Sequence, residues 1–462
     1  MTVRVLTCTA AEILEGNMIS GDDRTVMSSQ LCIPEYQRPY CWKEQQLSQV
    51  LAGIRSQKEQ LPDLPYYLGS LILHQKNGKL NIIDGQQRVT TLVLIASILT
   101  KQMHSQSLVS SLEYEHPTSQ QQIKLNLRWL QTFFSEQPEY WQELLDFNKL
   151  QFTLVITKTE DDAYRFFETQ NTGGVRLGGT DIIKAHHLRA IHSLHQKMFA
   201  IQWESLGKLD DTVSALLKGR YWQNINMRSL PSHQNKKQLR DAIVFELAEQ
   251  TGTGEDIAFG RLYRQIGLTG EISQHLAQQG YDLRQPLNAG VNSIRYLSYF
   301  QSLHQHYWEK PDLPHLPRYT SFIAWLKGLE GCDYLEGLYK TCLLQYISQF
   351  GENHLETAAK KLFRVVYSRR VSNQKTVREN SIYAFVKETP VLDWIALSYT
   401  PSQCFQYLDA FALTVDGSNL DSNSVKKRYM NKVCQFFELP LKPEDYKQGF
   451  AQALTRKVVG GM

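Results

Sequence analysis

Residues 81–88 read Asn-Ile-Ile-Asp-Gly-Gln-Gln-Arg, and the apolar run VTTLVLIASILT follows at once. The pattern is that of a strand ending at Asp84 and a helix beginning near Gln87. Unpaired amides at the head of such a helix, together with its dipole, favour an anion. Gly85 lets the backbone turn and come close to a ligand. Arg88 adds a fixed cation with several donors. Gln86 and Gln87 carry carboxamides able to donate to phosphate oxygens or to hold a water, and Asp84 offers a carboxylate to a metal or a ribose hydroxyl. The plainer alternative is an ordinary strand-to-helix turn, with Asp84 capping the helix and both glutamines in water.

Two further segments carry unusual side chains. IPEYQRPYCW (33–42) presents Tyr36, Gln37, Arg38, Tyr40 and Trp42 at the end of a short strand; by itself it reads equally as a tyrosine-rich edge. FFETQNTGGVRLGGTDIIKAHHL (166–188) adds Asn171, two glycine pairs, Thr180, Asp181 and Lys184. A helix end, a loop and a new N-cap at Thr180 account for most of it. They do not account for Lys184, a cation early in a helix, which the dipole disfavours unless an anion is near.

Taken together, these three segments resemble the GmrS-type DGQQR domain of prokaryotic modification-dependent restriction and anti-phage defence systems. The resemblance covers roughly residues 10 to 200. It implies a ParB/sulfiredoxin-like fold, with residues 84–88 in a nucleoside-triphosphate site that works with Mg2+ or a similar divalent cation. On that reading Tyr36, Gln37, Arg38, Asp84, Gly85, Gln86, Gln87, Arg88, Asn171 and Lys184 bind nucleotide. Asp84, Gln87 and Arg88 serve hydrolysis, with Asp84 as the metal ligand. The family's nuclease partner usually ends in an HNH-like module, and no such signature occurs in this chain. The implied partners are therefore a separate HNH-type nuclease and DNA, in particular modified phage DNA, with homo- or hetero-oligomerisation open.

The elements that must position these residues are legible. Leu47, Val50, Leu51 and Ile54 fall on one helical face of residues 42–60, and YYLGSLILHQ (66–75) meets KLNIID (79–84) across Lys76-Asn77-Gly78. Asn-Gly between apolar runs signals a hairpin, because both residues tolerate positive φ. LQFTLVIT (150–157) reads as another strand and 161–171 as a helix. After about residue 200 helical periodicity dominates and convincing strands are scarce. The expected class is α+β: a mixed domain over 1–200 and a mostly helical region over 201–462.

Composition is that of a globular protein, with 42% hydrophobic and 21% charged residues and a net charge of +4. Seven cysteines without a CxxC pair suggest neither a disulfide framework nor a zinc knuckle, and no run is long enough to cross a bilayer, so a cytoplasmic protein without membrane contact is expected. His186, His187, His192 and His195 cluster, but as surface or interhelix residues rather than a metal site. There is no P-loop and no nucleophile elbow. Basic residues gather at Lys360, Lys361, Arg364, Arg369, Arg370, Lys375 and Arg378. Such a stretch is either a solvated face or a contact for a phosphate backbone.

Three functions compete: a nucleotide-hydrolysing subunit of a DNA-restriction system, a nucleotide-switched DNA-binding module without turnover, and a nuclease with an unrecognised catalytic domain. The absent HNH signature counts against the third.

Overall fold

The computed structural model describes the chain except residues 1–2, 15–18, 21–25, 28–29, 100–108, 110–111, 160–161, 164–177, 267, 375, 421–423 and 461–462. For residues 19–20, 26–27, 260–266 and 272–279 it describes the backbone alone. The chain divides into two compact units, Met1–Leu177 and Gly178–Met462. The division precedes the expected boundary near 200, so the helix that bears Lys184 opens the second unit.

Among the described residues the first unit holds a five-stranded mixed sheet. Its strands are β1 (Val3–Thr9), β2 (Leu31–Cys32), β3 (Tyr66–Lys76), β4 (Lys79–Asp84) and β5 (Leu150–Thr157), in the order β1-β5-β3-β4-β2. β3 and β4 form the expected hairpin, with Asn77 and Gly78 both at positive φ (52° and 75°). β5 lies in the sheet interior, antiparallel to β1 and parallel to β3. That position explains its almost unbroken apolar sequence, since Leu150, Phe152, Leu154, Val155 and Ile156 are all buried.

Helices α1 (Ala10–Leu14), α2 (Glu44–Gln60), α3 (Gln86–Leu99), α4 (Pro117–Ser135) and α5 (Pro138–Leu144) contribute to the same core. In α2 it is Leu47, Leu51 and Ile54 that point inward. α3 is buried on nearly every side, including Thr90, Thr91 and Leu94, and so carries apolar residues all round. No helix among the described residues is long and apolar enough to cross a membrane.

The second unit is mostly helical. Its core is built on α9 (Asp333–Phe350), almost wholly buried from Leu335 onward, with α10 (Leu355–Val366) against it. Two strands, β6 (Phe259–Ile266) and β7 (Ile272–Gly280), form an antiparallel hairpin that the helical texture of this region conceals.

The unit begins with α6 (Gly179–Arg189), capped at Gly178 rather than Thr180. α7 (Asp210–Tyr221) and α8 (Val291–His304) pack near it in the same unit. His187 ties α6 to the head of α8 and to Leu247. Its Nε2 bonds the Leu247 carbonyl at 2.7 Å and its Nδ1 accepts from the Gly290 amide at 3.3 Å. Burial, and secondarily the neighbouring His186, pushes the ring pKa down to about 3. The unfolded chain therefore binds the extra proton between about pH 6.5 and 3, and stability falls as pH drops through that window. The second unit should lose about 1.4 kcal/mol per pH unit to this group. Urea unfolding at several pH values should show a shallower acid dependence in His187→Gln, with the slope reduced by about one proton.

Candidate functional site

The turn between β4 and α3 places the DGQQR residues, and packing fixes each differently. Gly85 stands at φ +99°, and a Cβ there would collide with the Leu71 side chain, so only glycine closes this turn. Asp84, at the strand end, accepts from Arg88 Nη2 at 2.9 Å. Arg88 Nη1 also donates to the Leu68 carbonyl at 3.0 Å. That carbonyl is turned out of the β3–β5 ladder by an irregularity between Tyr67 and Ser70. Gly69, at φ +100° within the irregularity, leaves the space the guanidinium fills. The glycine inside YYLGSLIL was the sequence signal for this feature, which reasoning from motifs passed over.

Gln87 is buried and fully engaged. Its Oε1 accepts from the Cys41 and Trp42 amides at 2.9 and 3.2 Å, and its Nε2 donates to the Pro39 carbonyl at 3.1 Å. It is the clasp on the 39–42 loop. Tyr40 in the same loop meets Thr91 at 2.9 Å, and Asn126 of α4 donates to the Tyr40 hydroxyl at 3.0 Å and the Trp42 carbonyl at 2.8 Å. Nothing in the sequence marks Asn126, whose partners lie more than 80 residues away. From the preceding turn Gln37 donates to the Ile83 carbonyl at 2.8 Å, which brings residues 36–38 beside the β4 end, with Tyr36 buried.

What this bracing leaves available is specific. The amides of Gly85, Gln86, Gln87 and Arg88 donate to no protein acceptor among the described residues, the first intrahelical bond being Val89 N–H to the Gly85 carbonyl. Gln86 is 5% exposed, and its Oε1 is sealed without a partner. Arg38, half-buried, forms no ion pair or hydrogen bond among the described residues. Four amide donors, an unspent guanidinium and the Gln86 Nε2 donor suit an anion, whereas the sealed Gln86 Oε1, an acceptor, does not. Asp84 is less free: Oδ2 faces Arg88, so a metal would have to take Oδ1. Among the described residues no three His, Cys, Asp or Glu side chains gather as a metal site.

Two expected residues remain. Asn171 is outside the described residues. Lys184, in the second unit, is buried and its ammonium bonds Glu204. The anion that its place near the head of α6 demanded is thus a side chain of its own unit.

The basic stretch is also corrected. α10 is followed by a short helix, α11 (Ser368–Ser372), and later by α12 (Pro401–Ala410), α13 (Val425–Phe437) and α14 (Tyr446–Val459). Lys361, Arg364 and Arg370 are buried, Lys361 paired with Asp409 at 2.5 Å and Arg364 bonded to the Leu408 and Phe411 carbonyls. Lys360 pairs with Glu356 at 2.9 Å, Arg369 is half-buried, Arg378 is exposed, and Lys375 lies outside the described residues. Lys361 and Arg364 are thus spent inside the core and are not offered to DNA, whereas Arg378 is exposed.

Residues 17–188 match the family model described as the GmrSD restriction endonuclease, N-terminal domain, and residues 195–424 match a family of unknown function (DUF7834). A search of curated proteins gave no match. The matched segment 17–188 contains the whole Tyr36–Arg38 and Asp84–Arg88 arrangement, so this part of the chain is similar to the N-terminal domain of the GmrSD restriction endonuclease.

Proposed function

We propose that this chain is the nucleotide-binding, nucleotide-hydrolysing subunit of a restriction system that acts on modified DNA together with a separate HNH-type nuclease. The family match supports the restriction role. The nucleotide reading rests on one observation: the unpaired amides of Gly85–Arg88 beside the unengaged Arg38 and Gln86. Those groups would hold the phosphates of a triphosphate, with Asp84 Oδ1 contributing to a divalent cation held chiefly by phosphate oxygens and water. The mixed sheet, with its site at a strand-to-helix turn, supports the ParB-like assignment of the first unit.

Gln87 and Arg88 enter this proposal as positioning residues. Both are committed to backbone carbonyls or amides, so neither is free to handle the attacking water. That commitment favours a second reading, in which nucleotide acts as a conformational switch and is not turned over.

The test is a panel of nucleoside triphosphates with purified protein, with and without modified DNA, following binding and phosphate release separately. Arg38→Ala and Gln86→Ala should each weaken triphosphate binding by about tenfold or more, Arg38→Ala with a nearly unchanged melting temperature and Gln86→Ala with a modest loss, because the Gln86 side chain is buried though it bonds to no protein group. Tight binding without phosphate release would support the switch. Wild-type affinity in both variants would place the site elsewhere.

A further inference from the structure

Exposed stretches of soluble proteins ordinarily carry charge, and the second unit departs from this at one place. Asn224–Asn226 and residues 397–410 together expose ten side chains, and none of the ten is charged, although 21% of the chain is. Four of them are large: Ile225 is 94% exposed, Tyr399 84%, Leu397 72% and Tyr407 46%. Apolar side chains scattered singly on a surface are ordinary, whereas a contiguous group marks a contact.

Direct contacts tie the two segments into one surface. The Asn224 amide donates to Asp393 Oδ2 at 2.8 Å, which seats the turn bearing Ile225 against the short helix Val391–Ala396. On that helix the half-buried Trp394 lies parallel to Tyr407 of α12, with centroids 6.4 Å apart and planes 14° from parallel. Leu397 ends the short helix, its amide donating to the Asp393 carbonyl at 2.9 Å. The Tyr399 amide donates to Gln403 Oε1 at 2.8 Å, one turn of α12 before Tyr407. The charges at the border are spent: Asp393 pairs with Arg284 at 2.5 Å, Asp409 with Lys361 at 2.5 Å and Arg228 with Glu246 at 2.8 Å.

Four exposed side chains of this size offer on the order of 500 Å² of surface, against about 800 Å² per partner in a standard protein interface. Tyr and Trp anchor such interfaces, and charge is depleted at their centres. A nucleic-acid strand can stack on rings, but its phosphates need cations, and neither segment exposes one. The polar groups that are exposed here, carboxamides at Asn224, Asn226 and Gln406 and the phenols of Tyr399 and Tyr407, each donate as well as accept. Such groups can pair with their own copies across a two-fold axis, whereas an ammonium or a carboxylate repels its copy.

We propose that this face joins two copies of the chain about a two-fold axis, with Ile225, Leu397, Tyr399 and Tyr407 at its centre. The face lies in the second unit and does not depend on the nucleotide reading of the first.

The experiment is sedimentation velocity on the full chain, freed of nucleic acid, from about 1 to about 100 μM. Wild type should pass from monomer to dimer within that range, with a midpoint that hardly moves between low and high salt, because no charges pair across the face. Tyr399→Glu should weaken dimerisation by about tenfold or more, since it sets a carboxylate in an apolar contact. Leu397→Glu, at a second point of the same face, should do the same. Both side chains are exposed, so both variants should keep the circular dichroism of wild type. If a glutamate variant misfolds, Tyr399→Ser carries the test: the ring is lost without added charge, and dimerisation should weaken by about threefold or more. A wild type that stays monomeric at about 100 μM overturns the proposal. Variants that dimerise as wild type also overturn it and place the contact elsewhere. Binding of a single-stranded oligonucleotide by a monomeric wild type, lost in Tyr399→Glu, would assign the face to nucleic acid instead.

Discussion

Gln87→Ala should destabilise the first unit by about 3 kcal/mol, a large share of an ordinary domain's stability. The side chain accepts from two backbone amides and donates to one carbonyl, and alanine leaves all three unmet in a half-buried loop. Each lost bond costs on the order of 1 kcal/mol, and more where water cannot replace it. Gln87→Glu should also destabilise, because it keeps the acceptor for the Cys41 and Trp42 amides but buries a charge and turns a second acceptor toward the Pro39 carbonyl. Gln86→Ala removes a carboxamide of the same size with no protein partner and should cost less than half as much as Gln87→Ala. Urea unfolding of the three variants checks the order. If Gln87→Ala is as stable as wild type but fails in turnover, the residue acts on substrate and the bracing account is wrong.

Arg364→Ala should be the most damaging single change in the second unit, at about 3–5 kcal/mol. Its guanidinium donates to the Leu408 carbonyl at 2.5 Å, the Phe411 carbonyl at 2.9 Å and Thr455 Oγ1 at 3.2 Å, joining α10 to the end of α12 and to α14. Alanine leaves a cavity and strands those acceptors. Were the basic stretch a DNA-binding face, the same variant would keep its melting temperature and lose DNA affinity. Calorimetry and a DNA-binding titration on one preparation distinguish the two outcomes.

Much of the first unit could be read from residues alone. Asn77-Gly78 declared its turn because two successive positive φ values restrict the residues that fit. The β4–α3 turn declared itself because an apolar strand, a glycine and an apolar helix follow without a gap. The side-chain roles within that turn were harder to read. Gln86 and Gln87 are adjacent and chemically identical, yet one is spent on a loop more than forty residues earlier and the other has no protein partner. Composition cannot tell them apart; only the path of residues 36–42 does.

In the second unit the dipole argument at Lys184 was sound in asking for an anion, and Glu204 answered it locally. The basic stretch misled because charge was weighed without its neighbours. Leu362, Phe363, Val365, Val366 and Tyr367 surround Arg364 on every side of the helix, a density that no solvated face carries.

The place of β5 in the sheet has a consequence for synthesis. β1 emerges first, but its neighbour in the sheet is β5, so Val3 waits for Thr157. At ordinary translation rates that interval is on the order of ten seconds. Until then the β3–β4 hairpin, though locally competent, lacks the parallel partner that covers its other edge. The sheet therefore closes last at its centre, a route of high contact order with a sticky apolar strand arriving late. Ribosome-bound chains ending before residue 150 should be readily degraded by protease in this region, and chains extended well beyond 157 should resist.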